Sequence, residues 1–240
     1  MPLPAAVNAA ANLSASFAAD EIASLFGIIG LTGDTPAAQQ LTTSLAGVTV
    51  NLADSAGTSR LAPLYGVFAS AGQINFLVPG GIASGLAMVT ITLPGGTTPT
   101  TVIDIAGTAP GIFTANMNGQ GPYAGQVIYV RADGSQTVAN SAAPSAGGNT
   151  FVPIPINLGT AGDQVFLVLY GTGLRHAAAL TAALNGVSVP LAYFGAQGSH
   201  AGLDQINLGP LPVSLAGTGL INLAISADGQ AANTVTLAIQ

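Results

Sequence analysis

Short apolar runs rich in β-branched residues recur along the chain, each closed by Gly, Pro or Asp-Gly. The C-terminal part shows the pattern best. It reads Gly186-Val-Ser-Val-Pro-Leu-Ala-Tyr-Phe-Gly195, then Gly202-Leu-Asp-Gln-Ile-Asn-Leu208, Gly219-Leu-Ile-Asn-Leu-Ala-Ile225 and Asn233-Thr-Val-Thr-Leu-Ala-Ile239. Runs of that length and composition, with turn residues between them, predict consecutive strands of an all-β sandwich. An earlier stretch repeats the order. Gly47-Val-Thr-Val50 parallels Gly186-Val-Ser-Val189, Pro63-Leu-Tyr65 parallels Pro190-Leu-Ala192, and Gln73-Ile-Asn-Phe76 parallels Gln205-Ile-Asn-Leu208. The expectation is two tandem immunoglobulin-like (TIG-like) β-sandwiches from an internal duplication, over residues 1–106 and 107–240.

In chain order, residues 1–16 read as an extended arm. Residues 19–27 parallel 162–171 and are expected to form a strand, so Asp20 and Glu21 should point to opposite faces. Residues 32–46 form a polar loop, with a helical turn expected at 36–45. Strands follow at 47–52, 62–69, 73–78, 86–93 and 100–105. Residues 53–61 look like an insertion absent from the second copy. Residues 107–160 connect the repeats. Gln126 to Ser135 is the best local hairpin, with Asp133-Gly134 suited to positive φ. Phe151-Val-Pro-Ile-Pro-Ile-Asn157 is apolar but broken by prolines, hence an edge strand or extended segment.

Composition changes the picture in one respect. Charged residues make up 5% of the 240 residues, against roughly 25% in an ordinary domain. Lysine is absent, the cations are Arg60, Arg131 and Arg175, and the net charge is -6. Three scattered arginines cannot neutralise a nucleic-acid backbone, so no nucleic-acid partner is expected. No apolar run approaches the roughly 20 residues of a membrane-spanning helix, so no membrane insertion is expected. A surface of Thr, Ser, Ala, Gly, Asn and Gln repels copies of itself weakly, which favours self-association. The start, Met-Pro-Leu-Pro-Ala-Ala, lacks a basic n-region and an apolar h-region. The expected location is extracellular, at the cell surface, with the signal peptide removed.

The residues that carry chemistry are few. His176 and His200 are the only histidines. Asp204 follows His200, but no third ligand stands near, and no metal site is assigned. Ser199, His200 and Asp204 are triad residue types. Triad members are rarely sequence neighbours, and no Gly-x-Ser-x-Gly elbow occurs. His200 and Asp204 are read as ordering the loop before Gln205. Glu21 is the only glutamate, and no pair of acids faces another across a cleft. The glycines of 27–33 and 171–173 are read as turn residues rather than a phosphate loop, since no Lys follows. Gln73, Asn75, Gln205 and Asn207 are read as amides that satisfy backbone groups at a sandwich corner, and Tyr65, Phe68, Tyr193 and Phe194 as core or inter-sheet residues. No catalytic, cofactor-binding or metal residue is assigned, and neither enzymatic activity nor a cofactor is expected.

The ordered set of motifs resembles the Solibacter-type C-terminal domain family of exported acidobacterial proteins. The residues are Val7-Asn-Ala-Ala10, Leu25-Phe-Gly27, Pro63-Leu-Tyr65, Gln73-Ile-Asn-Phe-Leu-Val-Pro79 and Ala109-Pro-Gly-Ile-Phe113. They continue with Tyr170-Gly-Thr-Gly-Leu174, Ala201-Gly-Leu-Asp-Gln-Ile-Asn207 and Ala232-Asn-Thr-Val235. The second copy departs from the family pattern at Leu208-Gly-Pro-Leu-Pro212, where Val-Pro is usual. The resemblance implies paired TIG-like sandwiches and export, and implies no activity. The leading expectation is a non-catalytic structural or adhesive protein of the cell surface that self-assembles into a filament or layer, with residues 1–17 adding a strand to a neighbouring copy. The alternative is a ligand-binding accessory module of a larger secreted protein, for carbohydrate or peptide, using loops 53–61 and 195–204. The absence of Trp weakens the carbohydrate expectation.

Overall fold

The computed structural model describes residues 3–13 and 16–240. The chain divides into two compact units, residues 1–109 and 110–240. It is all-β. Among the described residues the helical content is one 3-10 turn, Val213–Leu215. No helix among them is long and apolar enough to cross a membrane.

The first unit holds β1 (Ala5–Asn8), β2 (Phe17–Ala18), β3 (Ile22–Phe26), β4 (Asp34–Pro36), β5 (Thr49–Ala53), β6 (Ser59–Leu61), β7 (Leu64–Phe68), β8 (Gln73–Leu77), β9 (Gly85–Thr92) and β10 (Thr100–Ala106). One sheet runs β1-β3-β8-β7-β4 and the other β2-β10-β9-β5-β6. Alternation decides which residues go inside. In β9, Ala87, Val89 and Ile91 are buried while Leu86, Met88 and Thr92 are exposed. The core takes Leu25, Ile74 and Phe76 from one sheet and Val50, Leu52 and Ile103 from the other, as in a sandwich.

The second unit holds β11 (Gly111–Ile112), β12 (Gly125–Val130), β13 (Gln136–Asn140), β14 (Ala142–Pro144), β15 (Phe151–Pro153), β16 (Pro155–Ile156), β17 (Gln164–Thr172), β18 (Leu180–Leu184), β19 (Val187–Ser188), β20 (Leu191–Ala196), β21 (Asp204–Leu208), β22 (Gly219–Ala227), β23 (Gln230–Ala231) and β24 (Val235–Ile239). Its main sheets run β13-β12-β17-β21-β20 and β16-β24-β22-β18-β19. Their inner faces share Val127, Leu167, Ile206, Leu223, Leu237 and Ile239.

Several expectations change. The helical turn at 36–45 is absent. Asp34–Pro36 is instead an edge strand on β7, where Pro36 needs no ladder partner on its open side. Asp20 and Glu21 precede β3. Asp20 sits at φ 58, and buried Glu21 accepts the Ala18 N–H at 2.7 Å, so strand alternation does not apply to them. Residues 53–61 are the longer of two corresponding hairpin ends, with residues 54–58 in the turn against 185–186 in the second unit. They form the turn and second strand of the β5–β6 hairpin, and its place in the second unit belongs to β18–β19. That hairpin turns on Asn185 (φ 47) and Gly186 (φ 82), a pair suited to a tight turn. Gly186-Val-Ser188 therefore answers to β6, not to Gly47–Val50. The alanine-rich sequence of β18 hid it, because alanine favours helix.

The arm also changes. The Ala5–Asn8 strand is already paired antiparallel with β3. Buried Asn8 locks it, donating to the Ala109 carbonyl at 2.9 Å and accepting the N–H groups of Ala10 and Ala11. A strand bound on its own sheet is not available to a neighbour. Of the arm, Met1, Pro2, Ser14 and Ala15 lie outside the described residues.

Candidate ligand-binding face

The outer face of the sheet β13-β12-β17-β21-β20 is set by strand alternation. Val165, Leu167 and Leu169 of β17 point into the core, so Phe166 and Val168 stand outside. The register places Ile128 opposite Phe166 and Val130 opposite Gln164. It places Val138 opposite Ile128 and Gln136 opposite Val130, and Asn207 opposite Val168. The result is an apolar band, Val138–Ile128–Phe166, between amides. Gln136 and Gln164 flank one side. Asn207 and Gln126 flank the other.

A depression of about 350 Å³ opens over this band, with Phe166, Ile128, Val130 and Val168 below and Gln136, Gln164, Asn207 and Ala192 around it. Phe166 is seated by Gly209, which directly follows β21. A Cβ there would lie 2.8 Å from the ring's Cδ1, and φ of 134° disfavours other residues. Beside the depression, Gln205 Nε2 donates to Asn207 Oδ1 at 2.9 Å. The same bond joins Gln73 Nε2 to Asn75 Oδ1 at 2.7 Å in the first unit, where Ser24 Oγ also donates to Asn75 at 2.8 Å. These amides stand on outer faces and bond side chains, not the backbone groups of a corner. Tyr193 and Phe68 are likewise outer-face residues rather than core. Each ring covers a glycine two positions away, Tyr193 over Gly195 and Phe68 over Gly66. Phe194 does pack on the core.

The face is electrically neutral for a specific reason. No lining residue is charged, and every arginine of the chain is paired with an aspartate. Arg131 meets Asp163 at 3.1 Å, Arg60 meets Asp54 at 2.5 Å, and Arg175 meets Asp204 at 2.6 Å. The N–H groups of Thr160 and Ala132, then Arg131, hold the Asp163 carboxyl below its ordinary range.

The other sequence candidates are placed elsewhere. Asp204 is fully buried and begins β21. It accepts from Arg175 Nε at 2.6 Å and from the N–H groups of Leu174 and Arg175 at 2.9 and 3.2 Å. Burial pushes its carboxyl up, and those bonds pull it back. His200 is exposed, and its carbonyl accepts the Leu203 N–H at 3.2 Å. Asp204 thus fixes the Thr172–Arg175 turn and makes no triad with His200. The loop after β5 is wound on Asp54, which accepts from the N–H groups of Ala56, Thr58 and Ala83 and from Arg60. The depression lies on a sheet face and not on the loops 53–61 and 195–204. Among the described residues, no three His, Cys, Asp or Glu side chains converge on a metal position. The sequence signal for the face was the alternation in Gln164-Val-Phe-Leu-Val168, legible only once both neighbouring strands are known.

No protein-family model matches the chain, and no curated protein matches it. Among solved structures, it is similar to SGBP-B of the Bacteroides ovatus mixed-linkage glucan utilization locus, determined in complex with a mixed-linkage heptasaccharide. The identity is 12%, the TM-score is 0.35, and the match covers 94% of this chain and 43% of that one. The chain thus spans less than half the length of that protein.

Proposed function

We propose that the chain is a non-catalytic module that binds a neutral carbohydrate on the outer face of β12, β17 and β21. The observation that carries the reading is the neutral depression itself, an aromatic and aliphatic floor with amides on both sides. The C–H faces of a sugar ring stack on Phe166 and Ile128. The amides of Gln136, Gln164 and Asn207 both donate and accept, which suits hydroxyl groups. The Gln205 bond occupies Asn207 Oδ1 and fixes the amide's orientation beside the depression. With no cation on the floor, anionic saccharides gain nothing from the site. Export, membership of the Solibacter-type family and origin by duplication of an immunoglobulin-like unit belong to the same proposal. They are supported by the ordered motifs and by the matching order of β2-β10-β9-β5-β6 and β16-β24-β22-β18-β19. So does attachment to a larger secreted protein.

The test is a titration of the full chain with neutral oligosaccharides of several linkages, followed by calorimetry and by amide resonances of Gln164, Phe166 and Asn207. The expected result is saturable shifts at those residues, with affinity unchanged between low and high salt because no charges face the ligand. Absence of shifts there with every neutral saccharide, or binding only of charged ones, would overturn the proposal.

A further inference from the structure

The outer edge of β10 differs from the corresponding edge in the second unit. On one side β10 pairs with β9 from Thr100 to Ile105. On the other, β2 joins it in parallel only at Ile105 and Ala106. No described strand pairs with Thr100–Ile103 there. The ladder's alternation shows which groups are left at that edge. Ile91 N–H donates to the Pro99 carbonyl at 3.0 Å, so Pro99, Thr101 and Ile103 bond toward β9 and the Val102 N–H turns outward.

A notch of about 390 Å³ lies along this edge. Thr101 to Asp104 line it on one side, Pro4, Ala5 and Ala6 on another, and Phe17 and Leu86 complete it. Leu86 and Val102 are 67% and 57% exposed there.

The second unit shows what such an edge takes. There β24 holds the place of β10, with Ile239 opposite Gly219 as Ile105 is opposite Gly85. Thr236 therefore holds the place of Val102. Its N–H is not left open, since it donates to the Gly121 carbonyl at 2.9 Å, and Pro122 bridges to Thr236 in parallel. A bend of the same chain, Gly121 at φ 85 followed by Pro122, fills that edge.

We propose that the Val102 edge of β10 is a docking site for an extended peptide of a protein partner. The peptide adds in parallel, one of its carbonyls accepting the Val102 N–H, with small or apolar side chains over Phe17 and Leu86. Backbone bonds supply the pairing and the notch supplies the selection. Proline is tolerated in the added strand because one of its sides faces away from β10.

The probe is a synthetic peptide of the chain's own residues 118–124, Asn-Gly-Gln-Gly-Pro-Tyr-Ala, added to the full-length ¹⁵N-labelled protein. The expected result is a saturable shift and slowed hydrogen exchange at the Val102 amide, with millimolar or tighter affinity. Val102→Pro, which deletes the donor, and Leu86→Asp, which places a charge in the notch, each weaken binding at least tenfold, while Val102→Ile does not. The Leu86 change lies on an exposed position, so it reports even if the proline variant fails to fold. No response at Val102 up to the peptide's solubility limit overturns the proposal, as does a response that both variants leave intact. A Val102 amide already protected without peptide, in a protein that sizes as a dimer, also overturns it, because the occupant is then a second copy.

Discussion

Gln205 Nε2 donates to Asn207 Oδ1 at 2.9 Å along one strand, on the outer face beside Phe166. The bond uses one acceptor of Asn207 and orients the rest of its amide. For carbohydrate binding, Phe166→Ala is expected to lower affinity at least tenfold, about 1.4 kcal/mol, and Asn207→Ala by a similar factor. Gln205→Ala acts through Asn207 and costs less. Calorimetry with the best saccharide from the initial titration checks the ranking, and a Phe166→Ala variant that is folded and binds as well as the parent would refute it.

Phe68 covers Gly66, where a Cβ would lie 2.5 Å from the ring atoms Cε2 and Cζ. Gly66→Ala forces that ring aside and is expected to destabilise by about 1–2 kcal/mol. Phe68→Ala in the same background recovers part of the loss. Urea denaturation of the two single variants and the double variant gives a coupling of at least ~0.5 kcal/mol if the contact is the cause. Additive losses would place the cause elsewhere.

The three ion pairs differ in burial, so their removal should differ in consequence. Asp204 is 0% exposed and Arg175 17%, so Asp204→Ala strands a guanidinium and two N–H groups. The expected loss is about 3–5 kcal/mol. Arg131 is 45% exposed, and Arg131→Ala should fall within about 1 kcal/mol. Denaturation midpoints for the two variants decide whether burial or mere pairing sets the scale.

Acid should act through the paired and bonded carboxylates. Hydrogen bonds hold Asp34, Asp54, Asp133 and Asp163 below the ordinary 3.8. Each binds its proton more weakly folded than unfolded, so its stabilisation is present above 3.8 and is lost as pH falls through the lower folded value. Asp204 has the opposite sign, since burial raises it. Its contribution is present below 3.8 and lost as pH rises through the raised value. Melting temperature should therefore decline below about pH 4, in the range where unfolded aspartate takes up its proton. Asp54→Asn should flatten that decline, whereas Asp204→Asn should remove a loss of stability that sets in above the same pH. Melting curves across acid pH for the three proteins check both signs.

Strand content was legible in the sequence because a strand writes its burial locally, in every second residue, as in Gln205-Ile-Asn-Leu208 and Thr234-Val-Thr-Leu-Ala238. A hairpin turn was legible where a glycine must take positive φ, as at Gly134 (φ 84). The scarcity of charge and of catalytic residue types was legible by counting. Pairing was not. That β1 pairs with β3 and is tied by Asn8 to the Ala109 carbonyl, that β18 and not Gly186–Val189 holds the place of β5, and that Asp204 joins Arg175 instead of His200 depend on contacts between residues far apart in the chain. The binding face is of the same kind. Phe166 is one outward residue among many until β12 brings Ile128 beside it, β21 brings Asn207, and Gly209 leaves room for the ring. Local alternation decides which side of a strand is wet, and only the neighbours chosen by the tertiary fold decide what that wet side can hold.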